Sequence, residues 1–170
     1  MYVYNNDLEL VKSIELEQYK FDRLSKIGNK YYFANDENDD NKYMMYIFDE
    51  NTLEIEKVDL QTKNVVDVEI SGDYYILGSA KFLPPCSGGI TFKNIKTGEE
   101  IFHKLESGAT RMFKVDNYLY VFHIFEDNKE VLAKYEINGT ELKKVKEVPL
   151  KKDDVPDDNQ FVTGMFLFEK

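Results

Sequence analysis

Tyr31-Tyr32-Phe33, Tyr74-Tyr75-Ile76-Leu77, Tyr118-Leu119-Tyr120-Val121 and Phe161-Val162 each open an apolar strand on an aromatic ring. They follow one another in steps of 43, 44 and 43 residues along a chain of 170. Four such units account for the whole length. A period between 20 and 50 residues is read before any local propensity, because it says that one supersecondary unit is stacked several times to bury a shared core.

Each unit breaks into short strands separated by turn residues. In the first, residues 21–27, 30–35, 43–48 and 53–60 are strand-like, with Gly28-Asn29 and Asp49-Glu50-Asn51-Thr52 as turns. In the second, residues 65–70, 74–79, 90–94 and 99–105 repeat the order, and in the third residues 110–115, 118–125, 131–137 and 141–148 do so. Four strands joined by hairpin turns make an antiparallel meander. The ends carry partial units: residues 1–16 read as a third and fourth strand, and residues 160–168 as a second strand. Asp153-Asp154-Val155-Pro156 makes a poor first strand, so the innermost strand of this unit is expected to be short, irregular or replaced. The expectation is an all-β chain, a β-propeller of four four-stranded antiparallel blades closed by pairing N- and C-terminal strands, which would protect edges that an open array exposes. The blades would occupy residues 19–60, 64–106, 109–150, and 151–170 with 1–16, in one domain. An open β-sandwich or an oligomer-forming half propeller is the alternative.

A second repeat runs through the turns. Thr52, Thr97 and Thr140 are spaced by 45 and 43 residues, each just before a strand: Thr52-Leu53-Glu54-Ile55, Thr97-Gly98-Glu99-Glu100-Ile101 and Thr140-Glu141-Leu142. This resembles the D-x-x-T-G turn of YVTN-like and quinoprotein-type propeller repeats, although only Thr97-Gly98 has the T-G pair and only Asp49 the leading Asp. The resemblance is to the repeat type and implies the fold, not an activity. The chain has no Trp for a WD repeat, and its one Gly pair, Gly88-Gly89, follows a loop rather than ending the second strand as a kelch repeat wants.

Composition narrows the partners. Lys and Arg total 22 against 32 Asp and Glu, a net charge of −10, which repels phosphate backbones and argues against nucleic acid. A single cysteine, Cys86, excludes an intramolecular disulfide framework and points to a reducing compartment. Residues 1–16 carry Asp7, Glu9, Lys12 and Glu15, so they are no signal-peptide core, and no run of about 18 apolar residues follows to span a membrane. The expectation is a cytoplasmic, monomeric protein without membrane contact.

Chemistry-bearing residues are sparse. Asp36, Asn38 and Asp40 alternate like the opening of a calcium loop, but no central Gly or downstream bidentate Glu follows, so a solvated hairpin is expected and no metal. His103 and His123 have no third ligand for zinc, and His123, inside Tyr120-Val121-Phe122-His123-Ile124-Phe125, reads as a packed histidine. No nucleophile elbow, P-loop or dinucleotide fingerprint occurs, so neither an enzyme nor a cofactor is expected.

Two places are left for binding. Phe82, Leu83, Pro84 and Pro85 form an apolar, proline-stiffened loop between second and third strands, on the face of the blade connections, where contacts concentrate; its bland reading is an excursion covering the sheet edge. Asp22, Arg23, Asp67, Arg111 and Lys114 lie on first strands lining a central channel, with Arg23 and Arg111 marking its mouth. The sequence therefore points to a non-enzymatic binding module that recognises a protein partner through its loop face. The alternative is a small-molecule binder or sequestering protein using the central channel, and fold alone does not choose between them.

Overall fold

The computed structural model describes residues 1–16, 24–34, 43–81, 87–125 and 129–150. Every element of the described residues is a strand: β1 (Tyr2–Tyr4), β2 (Leu10–Ser13), β3 (Ser25–Ile27), β4 (Lys30–Ala34), β5 (Tyr43–Asp49), β6 (Glu54–Leu60), β7 (Val65–Ser71), β8 (Tyr74–Lys81), β9 (Ser87–Asn94), β10 (Glu100–Lys104), β11 (Gly108–Val115), β12 (Tyr118–Ile124), β13 (Glu130–Asn138) and β14 (Glu141–Pro149). They form three four-stranded antiparallel meanders, β3 to β6, β7 to β10 and β11 to β14, called blades 1, 2 and 3 here, and a hairpin of β1 with β2.

The blades stack face to face through apolar side chains. Tyr32, Ala34, Met45 and Ile47 of blade 1 pack on Val65, Val68, Tyr75 and Leu77 of blade 2. The other face of blade 2, through Ile76, Ile90 and Phe92, packs on Ala109, Met112, Leu119, Val121 and Ala133 of blade 3. The hairpin covers the back of blade 1, where Met1, Val3, Ile14 and Leu16 meet Phe33, Met44, Tyr46 and Phe48. A strand with both faces covered can be apolar throughout, which is why β5 and β8 lose the alternation of a half-exposed strand. The outer strands β6 and β14 are largely exposed and polar. The innermost strands meet directly, β3 and β4 against β7, and β7 to β9 against β11. This is the β-propeller arrangement.

The repeat is stricter than the aromatic anchors suggest. The first hairpin turn of each blade has a left-handed residue at Gly28 (φ 60°), Gly72 (φ 57°) and Asp116 (φ 52°), in steps of 44. The residues closing these turns, paired as Ile27 with Lys30, Ser71 with Tyr74 and Val115 with Tyr118, are therefore equivalent. Lys30, and not Tyr31, is the counterpart of Tyr74. The correction matters because a one-residue slip turns every side chain of a strand to the opposite face: Tyr32 and Ala34 face blade 2, while Tyr31 and Phe33 face the hairpin.

The threonine turn holds in two blades. Asp49 Oδ1 accepts the amides of Asn51 (2.9 Å) and Thr52 (3.3 Å), and Asn94 Oδ1 accepts those of Lys96 and Thr97, both at 2.9 Å. The side-chain oxygen is what the turn needs, so Asn94 fills the place assigned to Asp. Leu53 (φ 57°) and Gly98 (φ 75°) end the two turns alike. In blade 3, Asn138 pairs with Glu141 across Gly139-Thr140, a tighter hairpin, so Thr140 does not repeat the motif. No helix of the described residues is long and apolar enough to cross a membrane.

Candidate functional site

The connections between blades gather beside blade 2. Residues 61–64 carry the chain from β6 to β7, and residues 105–107 from β10 to β11. The first of these connections, with the ends of β8 and β9 and with β10, borders a cavity of about 450 Å³ whose lining includes Thr62, Lys63, Ser79, Lys81, Phe102 and Lys104.

Its floor is built on a buried ion pair. Lys93 Nζ donates to Glu100 Oε1 at 3.1 Å, with both side chains under a tenth exposed, and to the Gly98 carbonyl at 3.0 Å. Glu100 also accepts the amides of Gln61 and Thr62, both at 2.9 Å, and the Thr62 hydroxyl at 2.7 Å, while that hydroxyl lies 2.8 Å from Thr91 Oγ1. Four hydrogen bonds on the Glu100 carboxylate, and the Gly98 carbonyl on Lys93, satisfy a buried pair that would otherwise destabilise the fold. Their consequence is positional: the blade 1 to blade 2 connection is fastened to the outer strand β10.

Two glycines set the wall. A Cβ at Gly88 would fall 2.0 Å from the Ser79 carbonyl oxygen, and one at Gly89 would fall 2.7 Å from the Phe102 ring. Only glycine lets β9 lie this close, and the Gly89 amide then donates to Ser79 Oγ at 3.1 Å. Phe102 stays 54 % exposed, an apolar ring at a cavity that Lys63, Lys81 and Lys104 also line. Lys63 reaches across the Tyr43 ring, 5.1 Å from its centre.

Of the residues singled out by sequence, Phe82, Leu83, Pro84, Pro85 and Cys86 lie outside the described residues, as do Asp22, Arg23 and the acidic loop of Asp36, Asn38 and Asp40. Lys81 and Ser87, which flank the apolar loop in sequence, both line the cavity. Among the described residues no group of three His, Cys, Asp or Glu side chains could hold a metal ion.

The inner strands show what two of the first-strand charges do. Asp67 Oδ1 accepts the Ser25 hydroxyl of blade 1 and its Oδ2 accepts the Met112 amide of blade 3, both at 2.7 Å. One carboxylate thus ties three blades. Glu69, two residues on, is pushed up to about 7 by burial and by the Asp67 charge, against the Lys114 and Ile70 amides, which favour its ionised form. Arg111, the register counterpart of Asp67 one residue past a bulge, is exposed on β11.

His123 sits in a buried polar chain. Its Nδ1 is 3.2 Å from Ser107 Oγ and its Nε2 is 3.2 Å from Tyr135 Oη, with all three residues buried. Burial lowers the His123 pKa against the pull of the Gly108 carbonyl, and burial pushes Tyr135 up to about 12. Ser107 is 1 % exposed and out of reach of any substrate, so the chain joins β11, β12 and β13. His103 Nε2, 2.8 Å from the Thr140 carbonyl, likewise links blades 2 and 3.

Sequence reasoning did not single out Lys63, Lys81, Lys104, Ser79 or Glu100. Only position relative to the connections distinguishes these lysines from solvated ones, and that becomes visible once the strand ends are known. No family model and no curated protein matches the chain. A structural likeness exists to the β-propeller domain of the Trilobed protease from Pyrococcus furiosus, described as having an open velcro topology. The TM-score is 0.48 at 13 % identity, over 79 % of this chain and 44 % of that one.

Proposed function

We propose that the protein is a non-enzymatic binding module that recognises a protein partner through its loop face, with blade 2 supplying the contact. The observation that carries this reading is the cavity beside the blade 1 to blade 2 connection. In a chain of net charge −10, it gathers Lys63, Lys81 and Lys104 around an exposed Phe102 and the Ser79 and Ser87 side chains. A rigid, cation-rimmed concavity with an apolar ring suits an acidic segment that carries one apolar anchor, since complementary charge steers the encounter while apolar burial holds it. Phe82, Leu83, Pro84 and Pro85 are kept as contacts in this reading because Lys81 and Ser87, which flank their loop in sequence, line the cavity.

The second reading is a small-molecule ligand in the central channel at Arg23 and Arg111. Both oxygens of Asp67 are engaged between blades, which leaves Arg111 as the exposed charged side chain that such a ligand would meet among the described residues named for the channel.

Charge reversal separates the two. Lys81→Glu with Lys104→Glu is expected to lower partner capture by roughly an order of magnitude and leave melting unchanged, while Arg111→Glu has no effect on capture. Phe82→Ala with Leu83→Ala should weaken capture in the same way. Capture unaffected by the lysine reversals, or lost only with Arg111→Glu, would refute the loop-face reading.

A further inference from the structure

We infer that, given the loop-face reading on which this rests, the partner segment docks as an extended strand added to the outer edge of β10. Its apolar side chain is set beside Phe102, and an acidic one, two residues along, beside Lys104.

Each blade ends on an outer strand with a single neighbour among the described residues: β6 beside β5, β10 beside β9 and β14 beside β13. Such an edge offers a row of backbone donors and acceptors to any extended chain, and folds blunt it with charged side chains, proline and bulges. β6 carries Glu54, Glu56, Lys57 and Asp59. β14 carries Lys143, Lys144, Lys146 and Glu147, ends at Pro149, and its ladder with β13 shifts at Lys134/Tyr135. β10 is guarded least. Its Glu100 carboxylate is buried on Lys93, its ladder with β9 runs without a shift, and its exposed residues are Ile101, Phe102 and Lys104.

The ladder fixes which backbone groups face outward. The Asn94 amide donates to the Glu99 carbonyl at 2.8 Å, and the Leu105 amide donates to the Gly88 carbonyl at 3.1 Å. With the register between them, Glu99, Ile101, His103 and Leu105 bond towards β9, while the N–H and C=O of Glu100, Phe102 and Lys104 point away from it. The same three residues are those of β10 that line the cavity. A strand laid along this edge therefore bonds to the backbone of Phe102 and Lys104 and sets its own alternate side chains beside theirs. An apolar residue opposite Phe102 meets the ring and the cavity; a carboxylate opposite Lys104 meets its ammonium group, with Lys63 and Lys81 on the same lining. The edge is also held in advance, since Glu100 accepts the Gln61 and Thr62 amides and His103 Nε2 lies 2.8 Å from the Thr140 carbonyl of blade 3. An edge already in place loses little freedom when a strand is added.

A random octapeptide display library, selected on the intact protein, tests this. Enriched sequences should carry an apolar residue with Asp or Glu two positions away, and Phe102→Ala or Lys104→Glu should each weaken their binding about tenfold or more. Each amide N–H of a selected peptide is then replaced in turn by N-methyl. Binding should fall about tenfold at alternate positions of the paired stretch and hold at those between, because only every second N–H of an added strand meets β10. A peptide that needs Phe102 and Lys104 but shows no alternation overturns strand addition and leaves the loop-face reading standing. Peptides indifferent to both residues, or none selected at all, overturn both. Sedimentation of the free protein supplies the last outcome: a dimer that the peptide dissociates would make a second copy the occupant, against the proposal.

Discussion

Replacing Asp67 is the sharpest probe of how the blades are held. Asp67→Ala removes the acceptor of the Ser25 hydroxyl and of the Met112 amide, both at 2.7 Å, and so uncouples blade 2 from both neighbours at one position. Hydrogen bonds to a charged group contribute about 1.5–3 kcal/mol each, and a partly buried amide left without a partner adds its desolvation, so the expected loss is about 3–4 kcal/mol. For a chain of this size that lowers the melting temperature by about 10 °C. Asp67→Asn keeps one acceptor oxygen and should lose about 1–2 kcal/mol, and Ser25→Ala about 1 kcal/mol. The assay is urea denaturation at about pH 5.5, below the raised Glu69 pKa, so that relief of repulsion on Glu69 does not offset the loss. Coupling between Ser25→Ala and Asp67→Ala measures the inter-blade bond itself. If Asp67→Ala melts within about 0.5 kcal/mol of the parent, the carboxylate holds nothing together and the channel reading gains.

Two further outcomes follow from the same geometry. Glu69 has a folded pKa raised from 4.5 to about 7, so the folded state holds its proton more tightly, and its contribution is full below pH 4.5 and lost as pH rises towards 7. Glu69→Gln should therefore leave stability near pH 4 unchanged and raise the melting temperature at pH 8, read by a pH series of thermal melts. Glu100→Ala strands Lys93 in a buried site and frees the amides of Gln61 and Thr62, so denaturation should show a loss of about 3–5 kcal/mol.

Much of the fold was legible because it is written in repetition. The strand-turn order of residues 43–60 and 90–105 matches the meanders closely, and the apolar runs at Tyr43 to Phe48 and Tyr74 to Leu77 are strands covered on both faces. Parity was not legible from the aromatics, since Tyr31 and Tyr32 are chemically alike. The left-handed turn residues Gly28, Gly72 and Asp116 carry it, because the turn sets which residue pairs across the hairpin. Asp67 looked like channel lining because its partners, Ser25 and Met112, lie 42 and 45 residues away in neighbouring blades. The rim lysines were opaque for a related reason. Lys63, Lys81 and Lys104 converge only once the strands of blade 2 are paired, and each alone reads as a solvated charge.

The most direct test of a working loop face is site-specific crosslinking with the intact protein. A photoactivatable residue at Lys81, on the cavity rim, is compared with one at Lys143, beside the hairpin turns at the other end of the strands. The account predicts a light-dependent adduct with one partner protein from position 81, abolished by excess unlabelled parent protein, and none from position 143. Adducts from position 143 alone, or equally from both, would contradict it.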